Sequence, residues 1–397
     1  MRQFLDRLME ALIKMSGALT SVTVLLIVLF LFKEGTGLFR SPVVERGFSV
    51  VLHSQNPLSE LSPEQLKEIF DQKVDSWSAV GGADKKIRVL RWEDVFSLYT
   101  QEELGESYAL LPEKLGEIIR ADSGIIAYLP EQYIPKGAGI KLLEVKNIGL
   151  TDFFMGKSWM PTATPAPLFG ILPLVLGTLL VSFIAILIAI PLGVGVAVYL
   201  AEIAGEKVRK LMKPAIELLA GIPSVVYGFF GLVVLAPLVQ KAGGLSYGET
   251  AFTGSLILAI MALPTIISIA EDALKTTPQA MREASYALGA TQWQTIYKVV
   301  IPYASSGISA AIVLGIGRAI GETMAVLMVT GNAAQMPHSV FDSVRTIPAT
   351  IAAELGEAPG GGPHYQALFL LGCVLFVITL GISILAETVA AKKTSKA

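Results

Sequence analysis

Two charged side chains, Arg318 and Glu322, lie near the middle of an otherwise apolar run at residues 304–330. The run is long enough to cross a bilayer, which takes about 20 residues of helix. A charge at the centre of a bilayer costs at least ~2.5 kcal/mol on insertion scales, so intramembrane charges usually mark a transport path. The spacing of four residues predicts that both side chains lie on one helical face, where each partly neutralises the other. The alternative is a buried ion pair that only joins two helices.

The composition is that of a polytopic membrane protein. The chain is 53% hydrophobic and 16% charged, whereas soluble proteins are ~25% charged. A net charge of −2 gives no indication of nucleic-acid binding. The single cysteine, Cys373, excludes an internal disulfide, and the three histidines share no spacing typical of a metal site. We therefore expect no metal site in this chain.

Six apolar segments have the length of membrane spans. They lie at residues 15–32, 169–200, 211–239, 252–270, 304–330 and 367–389. Lysine and arginine are enriched in cytoplasmic loops, and most of those in the short loops fall on one side if the N-terminus is inside. The pattern predicts that both termini are cytoplasmic, that residues 36–160 are periplasmic, and that residues 272–302 form a cytoplasmic loop.

Residues 36–160 have the composition of a soluble domain. Ser62, Pro63 and Gln65 form the capping box and first-turn proline of a helix start. Residues 87–92 and 125–129 are predicted strands, and residues 112–120 a predicted helix. We expect a small α/β domain inserted after the first span.

The cytoplasmic loop carries a specific motif. Glu283, Ala284, Ser285, Gly289 and the segment ending at Pro302 match the EAA loop of ABC importer permeases, with Ser, Val and Ile in place of the motif's third Ala, its Ile and its Leu. The pattern predicts two short helices that are broken at Gly289, with Glu283 near the start of the first. Three apolar side chains on the second helix could dock in a groove of a partner protein: Trp293, Ile296 and Tyr297. The alternative is an amphipathic helix that rests on lipid.

The segments around this loop, above all RAIGETMAV at residues 318–326, resemble the phosphate-specific ABC importer permeases of the PstC type. This resemblance implies an all-α polytopic protein with six transmembrane helices and the ABC importer permease fold, plus the inserted α/β domain. It divides the chain into residues 1–35 (N-terminus and first span), residues 36–160 (insert) and residues 161–397 (core with five spans and the EAA loop). The chain would form a multi-pass protein of the bacterial inner membrane.

The same resemblance implies the partners. A PstA-type permease would complete the membrane part, a PstB-type ATPase dimer would bind the EAA loops through residues such as Glu283, Ala284, Gly289 and Pro302, and a periplasmic phosphate-binding protein would deliver phosphate. ATP and Mg would be bound by the ATPase, so this chain is expected to have no cofactor and no enzymatic activity. Gly156, Lys157 and Ser158 do not form a phosphate loop, because Thr151 stands where such a loop needs glycine.

By the resemblance, Arg318 and Glu322 lie on the phosphate path, and their chemistry agrees. A guanidinium is a rigid fork that matches an oxyanion. Glu322 could accept the proton of a partly protonated phosphate, or bind Arg318 when no phosphate is present. The hydroxyls of Thr323, Ser224 and Tyr227 are further candidates for the path, although hydroxyls in spans more often bond neighbouring helices.

The insert itself resembles part of one lobe of periplasmic phosphate-binding proteins, on residues 56–82, 87–94 and 121–134. In those proteins a Ser-Gly-Thr loop that opens a helix binds phosphate through amides and hydroxyls. Here the matching region is Arg91, Trp92, Glu93 and Asp94, so the donors are missing and two carboxylates would repel the anion. We expect a single lobe that docks a partner or regulates transport.

Three other functions remain open. The chain could import another oxyanion, such as molybdate or sulfate, with the same architecture. It could be a membrane sensor or scaffold that recruits the ATPase without transporting. The third is a secondary transporter, although such a protein would have no use for the EAA loop.

Overall fold

The computed structural model describes residues 2–137 and 139–394. The chain divides into two compact units. The membrane unit comprises Met1–Phe32, Leu172–Ala358 and Leu368–Ala397, and the inserted unit comprises Lys33–Ile171 and Pro359–Ala367.

The chain begins with a long apolar helix, α1 (Arg2–Gly35), which a 3-10 turn (Thr36–Arg40) follows. The predicted span at residues 15–32 lies within α1. This helix is one of the segments that are long and apolar enough to cross a membrane.

The inserted unit is built from short helices around a mixed sheet. Its strands are β1 (Phe48–His53), β2 (Glu60–Leu61), β3 (Arg88–Leu90), β4 (Ile125–Pro130), β5 (Ile140–Val145), β6 (Trp159–Met160) and β7 (Leu168–Phe169). Its α-helices are α2 (Pro63–Phe70), α3 (Trp92–Leu98), α4 (Gln101–Leu104), α5 (Leu111–Ala121) and α6 (Leu150–Met155). Further 3-10 turns are Trp77–Val80, Glu106–Tyr108 and Glu131–Tyr133.

The five main strands have the order β2-β5-β1-β4-β3. Strand β1 is antiparallel to both β4 and β5, whereas β2 pairs with β5 and β3 with β4 in parallel. The register places Val50 opposite Tyr128 and Val51 opposite Ala127. Every residue of β4 is buried, because helices and neighbouring strands cover it. The short antiparallel pair β6-β7 lies outside this sheet.

The local predictions for this unit are confirmed. Ser62 caps α2 with a reciprocal capping box to Gln65, and Pro63 is the first helical residue. The predicted helix at residues 112–120 is α5, and the predicted strand at residues 125–129 is β4. The strand predicted at residues 87–92 is shorter, because α3 begins at Trp92.

The membrane unit consists of helices. They are α7 (Leu172–Val198), α8 (Glu206–Gly221), α9 (Ser224–Phe230), α10 (Ala236–Gly243), α11 (Ala251–Lys275), α12 (Gln279–Ala287), α13 (Gln292–Thr295), α14 (Ile301–Tyr303), α15 (Ser305–Gly321), α16 (Met324–Val329), α17 (Ile347–Glu354) and α18 (Pro363–Thr394). Three π-helical turns continue helices at Tyr199–Ile203, Gly231–Leu235 and Ile296–Val300.

Among the described residues, five helical segments are long and apolar enough to cross a membrane. They are Met9–Arg40, Leu172–Ile203, Ser224–Gly243, Ala251–Lys275 and Pro363–Ala386. A sixth results if Gln292–Tyr303 and Ser305–Gly321, which are bent by 71°, form one span. The protein is therefore a multi-pass membrane protein.

The predicted span at residues 211–239 is wrong in its boundaries. Helix α8 ends at Gly221, and the span begins only at Ser224, after Pro223. The physical reason is that α8 carries several charges, including Lys213 and Glu217, which favour a polar environment over lipid.

Helices α7 and α15 both approach α11 closely at Ile266. A Cβ added to Gly193 of α7 would lie 2.7 Å from Ile266 Cγ2, and one added to Gly315 of α15 would lie 2.6 Å from Ile266 Cγ1. Small residues at such positions let helix backbones approach, as is common between membrane helices. The close approach of α15 to α11, and with it the position of Arg318, therefore depends on Gly315.

Candidate functional site

Arg318 lies in the last turn of α15 and is partly buried. Its Nη1 donates a hydrogen bond to Thr265 Oγ1 of α11, at 3.2 Å. Among the described residues this is its one hydrogen bond, and no carboxylate lies within 4.0 Å. A guanidinium has five N–H donors, so most of the binding capacity of Arg318 is not used by the described part of the chain.

The prediction that Arg318 and Glu322 share one helical face is wrong. Helix α15 ends at Gly321, and Glu322 has an extended backbone (φ −71°, ψ 134°). The next helix, α16, begins at Met324, so the predicted span at residues 304–330 is broken in two. Gly321 and the β-branched Thr323 both have low helix propensity, which favours a break here. Glu322 points its Oε1 toward the backbone N–H of Ala325, 3.5 Å away in α16.

The three candidate hydroxyls are placed differently. Tyr227 is buried and donates to the carbonyl oxygen of Leu219 at 2.8 Å, so it joins α9 to α8. Thr323 donates to the carbonyl oxygen of Gly321 at 3.2 Å within its own turn. Ser224 is the first residue of α9 and is partly buried.

Thr265 was missed by the sequence prediction, although it is the hydroxyl that contacts Arg318. The available signal was weak: Thr265 follows Pro264 within an apolar run, and a proline frees the carbonyl of the residue four positions before it. Only the packing of α15 on α11 brings Thr265 to Arg318.

The EAA loop forms the predicted two short helices. Helix α12 ends at Ala287, the break lies at Gly289 with φ +81°, and α13 begins at Gln292 after Thr291, which caps it. The left-handed backbone at this position favours glycine over any other residue. Pro302 lies in α14 and is exposed.

The three side chains predicted to form the contact surface of this loop differ in exposure. Trp293 and Tyr297 are exposed, whereas Ile296 is 1% exposed and packs against the membrane helices, so its assignment to the docking surface is wrong. The physical reason is that residues 293 and 297 share a helical face, and residue 296 faces inward. Glu283 and Ala284 are both exposed, and Glu283 is the fifth residue of α12 rather than near its start.

A group of charges surrounds the carboxylate of Glu271 at the end of α11. Glu271 is 1% exposed and forms ion pairs with Lys275, with Lys213 (3.2 Å) and with Arg209 (4.0 Å). Lys213 also contacts Asp272 at 3.4 Å. Desolvation lowers the pKa of Lys213, but its hydrogen bond to Glu271 and the nearby negative charges outweigh this, so the net pKa is raised. These contacts attach α8 to α11.

In the inserted unit, the region that resembles a phosphate-binding loop is closed by its own side chains. The backbone N–H of Arg91 donates to Asp94 Oδ2 at 3.0 Å, and its guanidinium donates to the carbonyl oxygen of Phe70. Glu93 and Asp94 both lie in the first turn of α3. A helix N-terminus attracts anions, and here carboxylates of the chain itself occupy that region.

Two family models match different parts of this chain. The model of the binding-protein-dependent transport system inner membrane component matches residues 189–394, which is more than half of the chain. The model of a PBP superfamily domain matches residues 30–166. The two matches correspond to the helical core and to the insert.

Curated relatives agree with the first family. The probable ABC transporter permease protein YqgH of Bacillus subtilis is 39% identical over 272 residues, which covers 68% of this chain and 88% of that protein. The phosphate transport system permease protein PstC of Mesorhizobium japonicum is 42% identical over 255 residues, which covers 59% and 77%. A structure of the MetNI methionine ABC transporter in an inward-facing conformation aligns with 56% of this chain and 94% of its own, at 22% identity and a TM-score of 0.45.

Proposed function

The chain belongs to the family of binding-protein-dependent transport system inner membrane components, and from this membership we propose that it is the membrane-spanning permease subunit of an ATP-driven importer of inorganic phosphate. Several relatives at 36–42% identity are phosphate transport system permease proteins of the PstC type. The observation that carries the proposal is Arg318, a guanidinium in an apolar helix with one hydrogen bond to the described chain. Its remaining donors suit an oxyanion with several acceptor oxygens.

In this proposal, phosphate crosses the membrane beside Arg318. The arginine supplies the counter-charge that a low-dielectric path requires, and Thr265 orients it. Glu322 lies on the irregular segment between α15 and α16, where irregular backbone at membrane depth is favoured only next to protein or a water-filled path. Glu322 accepts the proton of a partly protonated phosphate, and Ser224 and Thr323 are further hydroxyls of the path. Tyr227 has a structural role instead, because its hydroxyl bonds α8.

The energy for transport comes from other chains. We propose that a PstB-type ATPase dimer, which binds ATP and Mg, docks on the EAA loop at Glu283, Ala284, Gly289 and the exposed Trp293. A PstA-type permease completes the membrane part. A periplasmic phosphate-binding protein delivers the anion, and this chain needs no cofactor of its own. The protein lies in a bacterial inner membrane. Both termini and the EAA loop are in the cytoplasm, and the inserted unit is in the periplasm.

The inserted unit has a different role from the binding protein that it resembles. The Asp94 carboxylate caps the helix start that corresponds to the phosphate loop, and the Arg91 guanidinium is bound to a backbone carbonyl. We propose that this unit docks a partner or regulates transport, and that it does not bind phosphate. Calorimetric titration of phosphate into the purified Arg318→Met variant, which lacks the proposed site in the membrane, should therefore give no heat of binding.

Uptake by the reconstituted complex tests the main proposal. The chain is purified with its partner permease and ATPase, reconstituted in proteoliposomes, and supplied with binding protein, ATP and labelled phosphate. We expect ATP-dependent phosphate accumulation that excess molybdate or sulfate does not reduce. Uptake of molybdate or sulfate in preference to phosphate would identify that other oxyanion as the substrate. A complex that binds the ATPase and moves no anion would identify a scaffold.

A further inference from the structure

One buried ion pair joins the EAA loop to the end of a membrane-spanning helix. Arg282 of α12 binds the carboxylate of Glu202 with two hydrogen bonds, Nε to Oε2 at 3.2 Å and Nη2 to Oε1 at 2.6 Å. The two side chains are only 14% and 7% exposed. Glu202 lies in the π-helical turn that ends α7. The two residues are 80 positions apart in sequence, so the pair is a tertiary contact.

The same guanidinium also binds the end of α11. Its Nη2 donates to the carbonyl oxygen of Leu274 at 3.1 Å, and its Nη1 donates to that of Thr277. One side chain therefore connects three elements: α12, the end of α7 and the end of α11. Gln292 adds a fourth contact, because its Nε2 donates to the backbone oxygen of Glu202 at 2.9 Å.

The other side-chain hydrogen bond of α12 within the described residues joins the hydroxyls of Ser285 and Thr295 of α13 at 2.9 Å, inside the EAA loop itself. None of the residues of α12 is buried, so apolar packing contributes little to its position. The second half of the EAA loop differs, since Ile296 and Val300 pack in an apolar cluster with Ala197 of α7 and Ala270 of α11. The EAA loop therefore attaches to the ends of α7 and α11 in two ways: by apolar packing of its second half, and by the contacts of Arg282 with Glu202, Leu274 and Thr277, which we call the Arg282 junction.

Planar fork geometry makes arginine suited to this junction. A bidentate pair fixes both the distance and the orientation of its partners, and the other donors of the guanidinium point to fixed carbonyl oxygens. Lysine has a single point of charge on a flexible chain, so it could keep the ion pair without fixing the orientation. The junction therefore transmits rotation of α12 as well as translation.

We propose that Arg282 is the positioning residue through which displacement of the EAA loop moves the cytoplasmic ends of α7 and α11 together. This inference rests on the proposed importer function. When the ATPase moves α12, the bidentate pair carries Glu202 with it, and the carbonyl contacts carry the end of α11. Without the Arg282 junction, ATP hydrolysis continues, but fewer of the movements of α12 are transmitted to the spans that form the anion path.

Transport per ATP is the quantity that tests this role. Phosphate uptake and ATP hydrolysis are measured in the same proteoliposomes for the natural complex, Arg282→Lys, Glu202→Gln and the double variant. We expect each single variant to keep ATPase binding and to lower phosphate moved per ATP at least about fivefold, the lower range of typical coupling between sites. The double variant should be no worse than the singles, since all three break one link.

Glu206→Gln is the matched control. It removes the exposed ion pair of Glu206 with Lys210, whose side chains are 81% and 75% exposed, on the same side of the protein. We expect it to leave the ratio unchanged. A parallel fall of uptake and hydrolysis in the Arg282 and Glu202 variants, at a constant ratio, would show that the pair only holds the loop and would overturn the proposal. Absence of uptake by the natural complex would instead refute the importer function itself.

A distance measurement decides the matter even if a variant fails to assemble. Spin labels at Ile203→Cys and Ala287→Cys, both exposed positions, report the separation of the α7 end from α12, and the single native Cys373 is buried. In the protein that keeps Arg282 and Glu202, we expect this separation to be the same in the nucleotide-free and the ATP-bound complex. A change of about 5 Å, one helical turn, would mean that α12 moves independently of α7 and would overturn the junction.

Discussion

Replacing Arg318 with methionine separates an anion-binding role from a structural one. Methionine is similar in length and apolar. Arg318 has one hydrogen bond within the described chain, to Thr265, so its removal breaks no ion pair. The lost hydrogen bond contributes about 1–3 kcal/mol, whereas a charge within a span costs at least ~2.5 kcal/mol. The two effects nearly cancel, and we expect the thermal stability of the variant to equal or exceed that of the natural protein.

The same substitution, Arg318→Met, should strongly reduce phosphate transport. Hydrogen bonds to a charged group contribute about 1.5–3 kcal/mol, and each 1.4 kcal/mol is tenfold in an equilibrium constant. We therefore expect phosphate to bind about 10- to 150-fold more weakly in the path. Initial uptake rates over a range of phosphate concentrations measure this, with each rate normalised to the amount of ATPase that co-purifies.

Arg345→Met is the matched control for a structural arginine. Arg345 Nη1 is 2.6 Å from Glu354 Oε1, its Nε donates to the carbonyl oxygen of Asn332, and the paired side chains are 21% and 14% exposed. Removing one partner of such a buried pair costs about 3–5 kcal/mol. If Arg318→Met lost as much thermal stability as Arg345→Met while uptake per assembled complex stayed normal, Arg318 would be structural and the transport argument would fail.

Three further predictions follow from local geometry. Gly315→Ala should destabilise the protein by about 1–3 kcal/mol, because the new Cβ would lie 2.6 Å from Ile266 Cγ1; adding Ile266→Ala should cost less than the two single effects combined, as melting temperatures of the three variants can show. Asp122→Asn should destabilise the inserted unit by about 1 kcal/mol at neutral pH, because asparagine keeps an oxygen for the backbone N–H of Gly124, 2.9 Å away, but loses the charge that strengthens this hydrogen bond and pairs with Lys85 at 3.4 Å. That hydrogen bond lowers the pKa of Asp122 below its ordinary value of 3.8, so the contribution is complete above this pH and is lost as the pH falls through the folded-state pKa; the difference in unfolding free energy between the two proteins should stay constant from about pH 7 to about pH 4 and shrink only at lower pH. Gly289→Ala should cost about 1–2 kcal/mol from its positive φ alone, since a Cβ there meets no atom within 4 Å, and it should lower the amount of ATPase that co-purifies; an unchanged yield would mean that the loop tolerates another backbone shape.

Features that depend on neighbouring residues in the chain could be predicted from sequence. The capping box at Ser62 is such a feature, since the serine, the proline and Gln65 all act within one turn. The break at Gly289 is another, because two amphipathic segments flank a residue that favours a left-handed backbone. The candidate spans α7, α11 and α18 are long apolar runs, and composition alone identifies them.

Features that depend on packing could not be predicted from the sequence. The end of α15 at Gly321 has no proline to mark it, and glycine lowers helix stability by only about 1 kcal/mol, which packing routinely overrides. The pair of Arg282 with Glu202 depends on how α12 lies against α7, across 80 residues. Ile296 has the same apolar character as its neighbours, and only the packing of α13 on the membrane helices decides that it faces inward.

The break after Gly321 explains how Arg318 is stabilised without a carboxylate. The last four carbonyl groups of a helix have no intrahelical partner, and the end carries about −0.5 of an elementary charge. Arg318 lies in that last turn, where a cation is stabilised by about 0.3–2 kcal/mol. A carboxylate in the same place would hold the guanidinium in an ion pair that each arriving anion must break. The helix end offsets part of the cost of the charge and leaves the donors free to exchange partners.

Glu322→Gln tests this account of the break. Glutamine keeps the side-chain oxygen that faces the N–H of Ala325 and removes only the charge. Because no ion pair with Arg318 is lost, we expect thermal stability to stay within about 0.5 kcal/mol of the natural protein. Phosphate uptake should fall nevertheless, since the group that accepts the proton of phosphate is gone from the path. A stability loss as large as that of Arg345→Met would instead mean that Glu322 pairs with Arg318 in the membrane, and that α15 continues through the break.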